Sequence, residues 1–117
     1  MITGIGIDIV EIERIQLLLD RQNKFIDRIL TDKEKKEFEL FSGRRRLEFF
    51  AGRFAAKEAF SKAFGTGIGE SLSFLDIEIT KEANGRVFIT KPFNEGVHLS
   101  ISHSEQYAIA QVVIEKI

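Results

Sequence analysis

Cysteine is missing from the sequence altogether, which excludes disulfides and thiolate chemistry and suits a cytosolic enzyme. Charge of one sign is equally scarce: 17 Lys and Arg stand against 18 Asp and Glu, a formal net charge of -1. Such a balance offers no overall attraction to nucleic acid or to an anionic membrane, so electrostatic recognition has to come from local patches. No apolar run reads as a membrane span. The N-terminal MITGIGIDIV is apolar, but it lacks a basic n-region and carries Asp8, so it reads as a strand rather than a secretory signal. Internal repeats, low-complexity tracts and linkers are absent too. With 44% hydrophobic and 30% charged side chains, 117 residues can bury one core but hardly a second. The expectation is one domain, residues 1–117, carrying the whole function.

Hydrophobic periodicity divides the chain into a helical half and a strand half. In ITGIGIDIV, Ile5, Ile7 and Ile9 share one face, and Gly4, Gly6, Asp8 and Val10 share the other. Glycines weaken a strand unless something approaches closely, so the Asp8 face is expected to be covered by another element or by a ligand. Residues 11–30 read as helix on the stripe Ile12, Ile15, Leu18 and Leu19, with a break at residues 23–25. Thr31 followed by Glu34 is a capping-box signature for a second helix. A long helix runs from about Arg44 to Phe64 and ends at Gly65. Beyond Leu72, SFLDIEIT and VFIT flank an Asn84-Gly85 hairpin turn, and VHLSISH and YAIAQVVIEKI read as two further antiparallel strands. The only proline, Pro92, falls in a loop. These elements predict an α+β domain, with a long helix and shorter helices packed on a mainly antiparallel sheet.

The chemistry concentrates on FAAKEAFSKAFGTGIG. At about 100° per residue, Ala55, Ala56, Ala59, Phe60 and Ala63 form an apolar arc, with Glu58 and Lys62 stacked on its edge. Two readings fit: a solvated i,i+4 pair worth ~0.2–0.5 kcal/mol, or charges that point into a site. The GTGIG segment that follows can present N–H groups to phosphate, although the dipole at a helix C-terminus is unfavourable and the loop has to curl to do so. Asp8 is either a strand-end aspartate or a partner of Glu58 in holding Mg²⁺, which takes one or two carboxylates and completes its octahedron with waters and phosphates. His103, continuing the Val97, Leu99 and Ile101 face, is either a hydrogen-bonded strand-end core histidine or part of that site.

GIGIDIVEIERI, FAGRFAAKEAFSKAFGTGIG, DIEI with its NG turn, and HLSISHSEQYAIAQVVIE follow one another across essentially the whole chain. Together they resemble the holo-acyl-carrier-protein synthases of the 4′-phosphopantetheinyl transferase superfamily. The resemblance implies transfer of 4′-phosphopantetheine from coenzyme A to a serine of apo acyl carrier protein, releasing adenosine 3′,5′-bisphosphate, in support of fatty acid biosynthesis in the cytoplasm. It implies Asp8 and Glu58 as ligands of Mg²⁺, and Glu58 and Lys62 as the catalytic pair. Val10 stands where larger relatives have a third carboxylate, which leaves room for a water on the metal to take the serine proton; Glu58 is the other candidate base. Arg45, Arg53 and His103 are implied at the 3′-phosphate of coenzyme A, and Gly65 and Thr66 at its pantetheine and pyrophosphate. Val87 departs from the proline that relatives often carry after the hairpin turn.

The same resemblance implies a homotrimer with sites at subunit interfaces, and a first helix that docks the acidic carrier. Arg14, Arg21 and Arg28 recur every seven residues, with Phe25 and Ile26 adjacent. Interleaved with Glu13, Asp20 and Asp27, such arginines are otherwise a mixed solvated face. Two rivals to the enzyme reading are a non-catalytic coenzyme A binding module and a helical interaction protein.

Overall fold

The computed structural model describes residues 1–117. The elements in chain order are β1 (Ile2–Glu11), α1 (Ile12–Arg21), α2 (Phe25–Ile29), α3 (Asp32–Glu39), α4 (Gly43–Phe64), a short 3-10 turn (Phe74–Asp76), β2 (Glu78–Lys81), β3 (Val87–Lys91), β4 (Val97–His103) and β5 (Tyr107–Glu115). The helix expected over 11–30 is two helices, because α1 stops at Arg21 and Phe25 restarts the chain as α2. The capping box forms as its sequence requires: Glu34 N–H donates to Thr31 Oγ1 at 3.3 Å, and Thr31 N–H donates to Glu34 Oε1 at 2.9 Å. α4 ends at Gly65, whose φ of 103° lies in the left-handed region that a residue with a Cβ avoids.

The strands are antiparallel throughout, but they form two sheets rather than one. β1, β5 and β4 make a three-stranded sheet in that order, and β2 pairs with β3. α4 lies between two cores. On one side Ala55, Ala59 and Phe60 pack with Ile77, Ile79, Ile89 and Val112. On the other, Phe50 and Ala51 pack with Ile12, Ile15, Phe25, Ile29 and Ala108. A helix enclosed on most of its circumference needs no single apolar stripe.

Where α4 crosses β1, backbone meets backbone. A Cβ added at Gly6 would fall 1.9 Å from the carbonyl oxygen of Ala59, and one at Gly4 would fall 1.9 Å from that of Ala63. The element covering the Asp8 face is therefore the helix itself, and alanine on one side with glycine on the other makes the approach possible. The opposite face is bare: Ile5, Ile7 and Ile9 are 59%, 53% and 60% exposed.

Lys57 anchors α4 on its far side. It is fully buried, and its Nζ donates to Glu34 Oε1 at 2.6 Å, to Ile29 O at 2.6 Å and to Phe74 O at 3.1 Å. Glu34 Oε2 in turn accepts from Ile79 N–H at 2.8 Å. One ammonium thus ties α2, α3, the 3-10 turn and, through Glu34, β2 to the long helix. Desolvation lowers the Lys57 pKa, with the Glu34 carboxylate opposing.

Candidate active site

The Gly6 contact brings β1 close enough to α4 for Asp8 to meet two helix side chains. Lys62 Nζ lies 3.1 Å from Asp8 Oδ1 and 3.0 Å from Ile7 O. Glu58, one turn earlier on α4, shares with Asp8 the wall of a cleft of about 370 Å³, whose other lining includes Val10, Arg14, Ile15 and Phe54. The Glu58 pKa is raised, first by burial and then by the negative charge of Asp8, with Lys62 partly opposing. Asp8 Oδ2 is buried without a hydrogen-bond partner.

These features suit a hard divalent cation. The negative charge of Asp8 adds to the cost of ionising Glu58, and Asp8 Oδ2 is buried with its hydrogen-bonding capacity unused. No cluster of three or more His, Cys, Asp or Glu side chains surrounds them, so the protein supplies at most the pair. That number matches Mg²⁺, which keeps waters and substrate phosphates as its remaining ligands. Asp8 and Glu58 are the residues that can hold it.

Beyond Lys62 the glycine loop is folded back on the helix. The N–H groups of Gly65 and Gly67 both donate to Ser61 O, at 3.0 and 3.1 Å, and that of Gly69 donates to Leu72 O at 2.9 Å. The Thr66 hydroxyl donates to Gly67 O at 2.8 Å. The three glycine N–H groups are thereby already engaged, those of Gly65 and Gly67 in closing the helix and that of Gly69 within the loop. Gly65 and Thr66 remain exposed beside Lys62.

Arg45 and Arg53 sit at the two ends of an aromatic stack. The Arg45 guanidinium lies 5.0 Å from the centroid of the Phe41 ring, Arg53 lies 4.3 Å from that of Phe49, and the two rings are 5.3 Å apart. Arg45 is exposed, whereas Arg53 is only 6% exposed. Arg53 faces Glu37 at 3.5 Å, yet its Nε and Nη2 are buried with no hydrogen bond. Burial lowers its pKa, with Glu37 and Glu34 opposing. His103 is half-exposed at the end of β4, with Nδ1 3.7 Å from Glu48 Oε2, and Arg44 Nε is 3.3 Å from the same oxygen. The core reading of His103 is thereby set aside. Arg45 precedes Glu58 by 13 positions, which on a helix is roughly 20 Å. Within the chain, Arg45 does not come to the Asp8 and Glu58 cluster.

The expected docking face changes in composition. Arg14 and Arg21 share one side of α1, but Arg28 belongs to α2. Phe25 is 8% exposed, its ring 5.5 Å from Phe50 and 6.1 Å from Phe54. It is a core residue and not a surface contact, because the chain reverses after Gln22 and turns α2 inward. Ile26 packs half-buried against the same core. Leu17 is 47% exposed on α1 three residues after Arg14, and Leu18 and Tyr107 line the cleft. Nothing in the sequence singles these out, since an exposed leucine in an amphipathic pattern looks like a core one.

Residues 4–112 match the family model described as the 4′-phosphopantetheinyl transferase superfamily. Among similar proteins, the holo-[acyl-carrier-protein] synthase of Anoxybacillus flavithermus is 59% identical over 118 residues, covering 100% of this chain and 98% of the relative. That of Bacillus subtilis is 56% identical over 119 residues, with coverage of 100% and 98%. A crystal structure of a holo-(acyl-carrier-protein) synthase from Bacillus anthracis in complex with CoA (3′,5′-ADP) superposes with a TM-score of 0.94 at 53% identity, covering 100% of this chain and 99% of that one.

Proposed function

The chain belongs to the 4′-phosphopantetheinyl transferase superfamily, and from that membership we propose that residues 1–117 act as one domain that transfers 4′-phosphopantetheine from coenzyme A to a serine of apo acyl carrier protein. The products are the holo carrier and adenosine 3′,5′-bisphosphate, and the step serves fatty acid biosynthesis in the cytoplasm. The observation that carries the reading is the meeting of Asp8, Glu58 and Lys62 where β1 and α4 touch.

In the reaction a bond forms between the serine oxygen and the β-phosphorus of coenzyme A, while the bond from that phosphorus to the bridging oxygen breaks. Asp8 and Glu58 would hold Mg²⁺, which when bound would supply Lewis-acid charge neutralisation at the pyrophosphate. Lys62, on the last turn of α4, supplies a second positive charge at the phosphates. The serine proton goes to a water at the site or to Glu58, the two candidate bases. The apolar wall formed by Val10, Ile15 and Phe54 keeps one side of the cleft dry, which strengthens these electrostatic contacts.

The assembly proposed is a homotrimer. Ile5, Ile7 and Ile9 point away from α4, and the register sets them beside Val113, Gln111 and Ile109 of β5, an exposed and largely apolar sheet face that a second copy would cover. A cross-subunit site also answers the separation of Arg45 from Glu58 along α4: Arg45 and His103 of one protomer would meet the 3′-phosphate of coenzyme A held at the Asp8 cleft of another, whereas Arg53 is buried over Phe49. The carrier docks on α1 through Arg14 and Arg21, whose positive charge suits an acidic partner.

Incubation with coenzyme A, Mg²⁺ and an apo carrier protein tests the reaction, the carrier's mass being followed for addition of one phosphopantetheine. The expected result is complete, Mg²⁺-dependent conversion. An unmodified carrier together with measurable coenzyme A binding would assign the cleft to a binding module.

A further inference from the structure

Lys62 suits phosphate by position, yet its ammonium is already engaged. It donates to Asp8 Oδ1 at 3.1 Å and to the Ile7 carbonyl at 3.0 Å, both on β1. The two partners differ in freedom: the Lys62 side chain is 50% exposed, and that of Asp8 only 15%. One oxygen of Asp8 is therefore held by a cation of the chain itself, while the other, Oδ2, is buried without a partner. Two carboxylates and one ammonium leave the cluster with an excess of one negative charge. A divalent cation arriving alone has to compete with Lys62 for Asp8.

We propose that Lys62 is a counter-ion with two seats. In the free protein it sits on Asp8 Oδ1 and Ile7 O, where it offsets the repulsion between Asp8 and Glu58 and holds the affinity for a metal ion down. When a pyrophosphate-bearing ligand enters the cleft, the ammonium moves to the phosphate oxygens and both Asp8 oxygens become free for the metal. Four methylenes and an exposed path allow that exchange with no movement of α4. Metal and coenzyme A then bind synergistically, and the unliganded protein holds metal weakly. The inference rests on the cleft being the coenzyme A site.

The test is Mn²⁺ binding, read from the electron paramagnetic resonance signal of the free ion, with and without coenzyme A. Wild type is compared with Lys62→Met, with Lys62→Gln as a second variant against a folding fault, and with Arg14→Gln. Arg14 lines the same cleft without bonding to Asp8, so its neutralisation removes a nearby charge and leaves the seat filled. Without coenzyme A, the Lys62 variants should bind Mn²⁺ about five-fold tighter than wild type, the ratio that a half-exposed ion pair supports, and Arg14→Gln should change it by less than about two-fold. Coenzyme A should raise Mn²⁺ affinity by a larger factor in wild type than in Lys62→Met. Equal affinity in wild type and the Lys62 variants overturns the two-seat model, as does equal tightening in all three variants, which would be a general field effect. Absence of Mn²⁺ binding by every protein, even with coenzyme A, overturns the metal reading of the cleft and the inference with it.

Discussion

Replacing Lys57 by methionine keeps an unbranched side chain of similar length and removes only the ammonium. Three acceptors lose the Lys57 ammonium: Ile29 O, Phe74 O, which keeps the Ile77 N–H, and Glu34 Oε1, which keeps the Thr31 N–H. Glu34 keeps the N–H groups of Thr31 and Ile79, but its buried carboxylate loses its ion-pair partner. Breaking a buried pair in this way costs about 3–5 kcal/mol, a large part of the ~5–15 kcal/mol that holds a domain together. At roughly 4 °C per kcal/mol for a chain of this size, the melting temperature should fall by about 12–20 °C. Urea unfolding and calorimetry measure both quantities. The pH dependence has a definite sign. Burial depresses the folded-state pKa of Lys57 below its ordinary value of 10.5, so in the window just under 10.5 the unfolded chain binds a proton that the folded chain has released. Stability from this group therefore rises with pH through that window, and is flat below the folded pKa, where both states are charged. Lys57→Met lacks that gain, and the gap between the two proteins should widen in alkali. A loss below about 1 kcal/mol, or a gap that narrows as pH rises, would refute the account of Lys57 as a desolvated, compensating charge.

Asp8→Ala and Glu58→Ala should each lower transfer by at least about 10³-fold, the equivalent of ~4 kcal/mol of transition-state stabilisation, with an unchanged far-ultraviolet spectrum; near-normal turnover in either folded variant would remove the proposed metal pair. Ile7→Glu places a charge at the centre of the exposed β1 face and should yield monomers by sedimentation with little transfer activity, whereas an active monomer would refute sites shared between subunits. Arg21→Glu, on α1 outside the Asp8 cleft, should raise the carrier KM about three-fold at low salt and leave coenzyme A affinity alone; added salt should weaken the wild-type carrier complex more than the reversed one, because exposed pairs are screened within about 8–10 Å. Phe25→Ala should act on stability, costing about 3–5 kcal/mol as a buried aromatic truncation, and a variant that melts like wild type but loses carrier binding would return Phe25 to the surface.

Much of the candidate site was legible because its members signal locally. Glu58 and Lys62 stand one turn apart in a helix whose period is evident, and the glycine-flanked Asp8 announces a strand face under close approach. Helix ends were legible for the same reason: the Thr31 and Glu34 box closes within four residues, and the Asn84-Gly85 turn forms with Gly85 at φ 91° and Arg86 N–H on Asn84 Oδ1. Phe25 was not, since a phenylalanine beside arginines looks the same whether the next turn points it out or in. Arg53 was not either. A basic residue in a helix gives no sign that its guanidinium will lie over Phe49 with two of its nitrogens buried.

The sequence by itself determined what depends on near neighbours: an α+β domain, the order of its elements, the caps, and the spacing that puts an acid and a base on one helix edge. Only the tertiary structure decided what depends on residues far apart in the chain. It made Ala59 and Ala63 the cover of Gly6 and Gly4, gave Lys57 the Glu34 carboxylate 23 residues away, split the strands into two sheets, and set Lys62 on Asp8 across 54 residues. The physical reason is that backbone propensity and capping act over a single turn, whereas burial, charge compensation and close packing are settled by whichever surfaces the folded chain brings into contact.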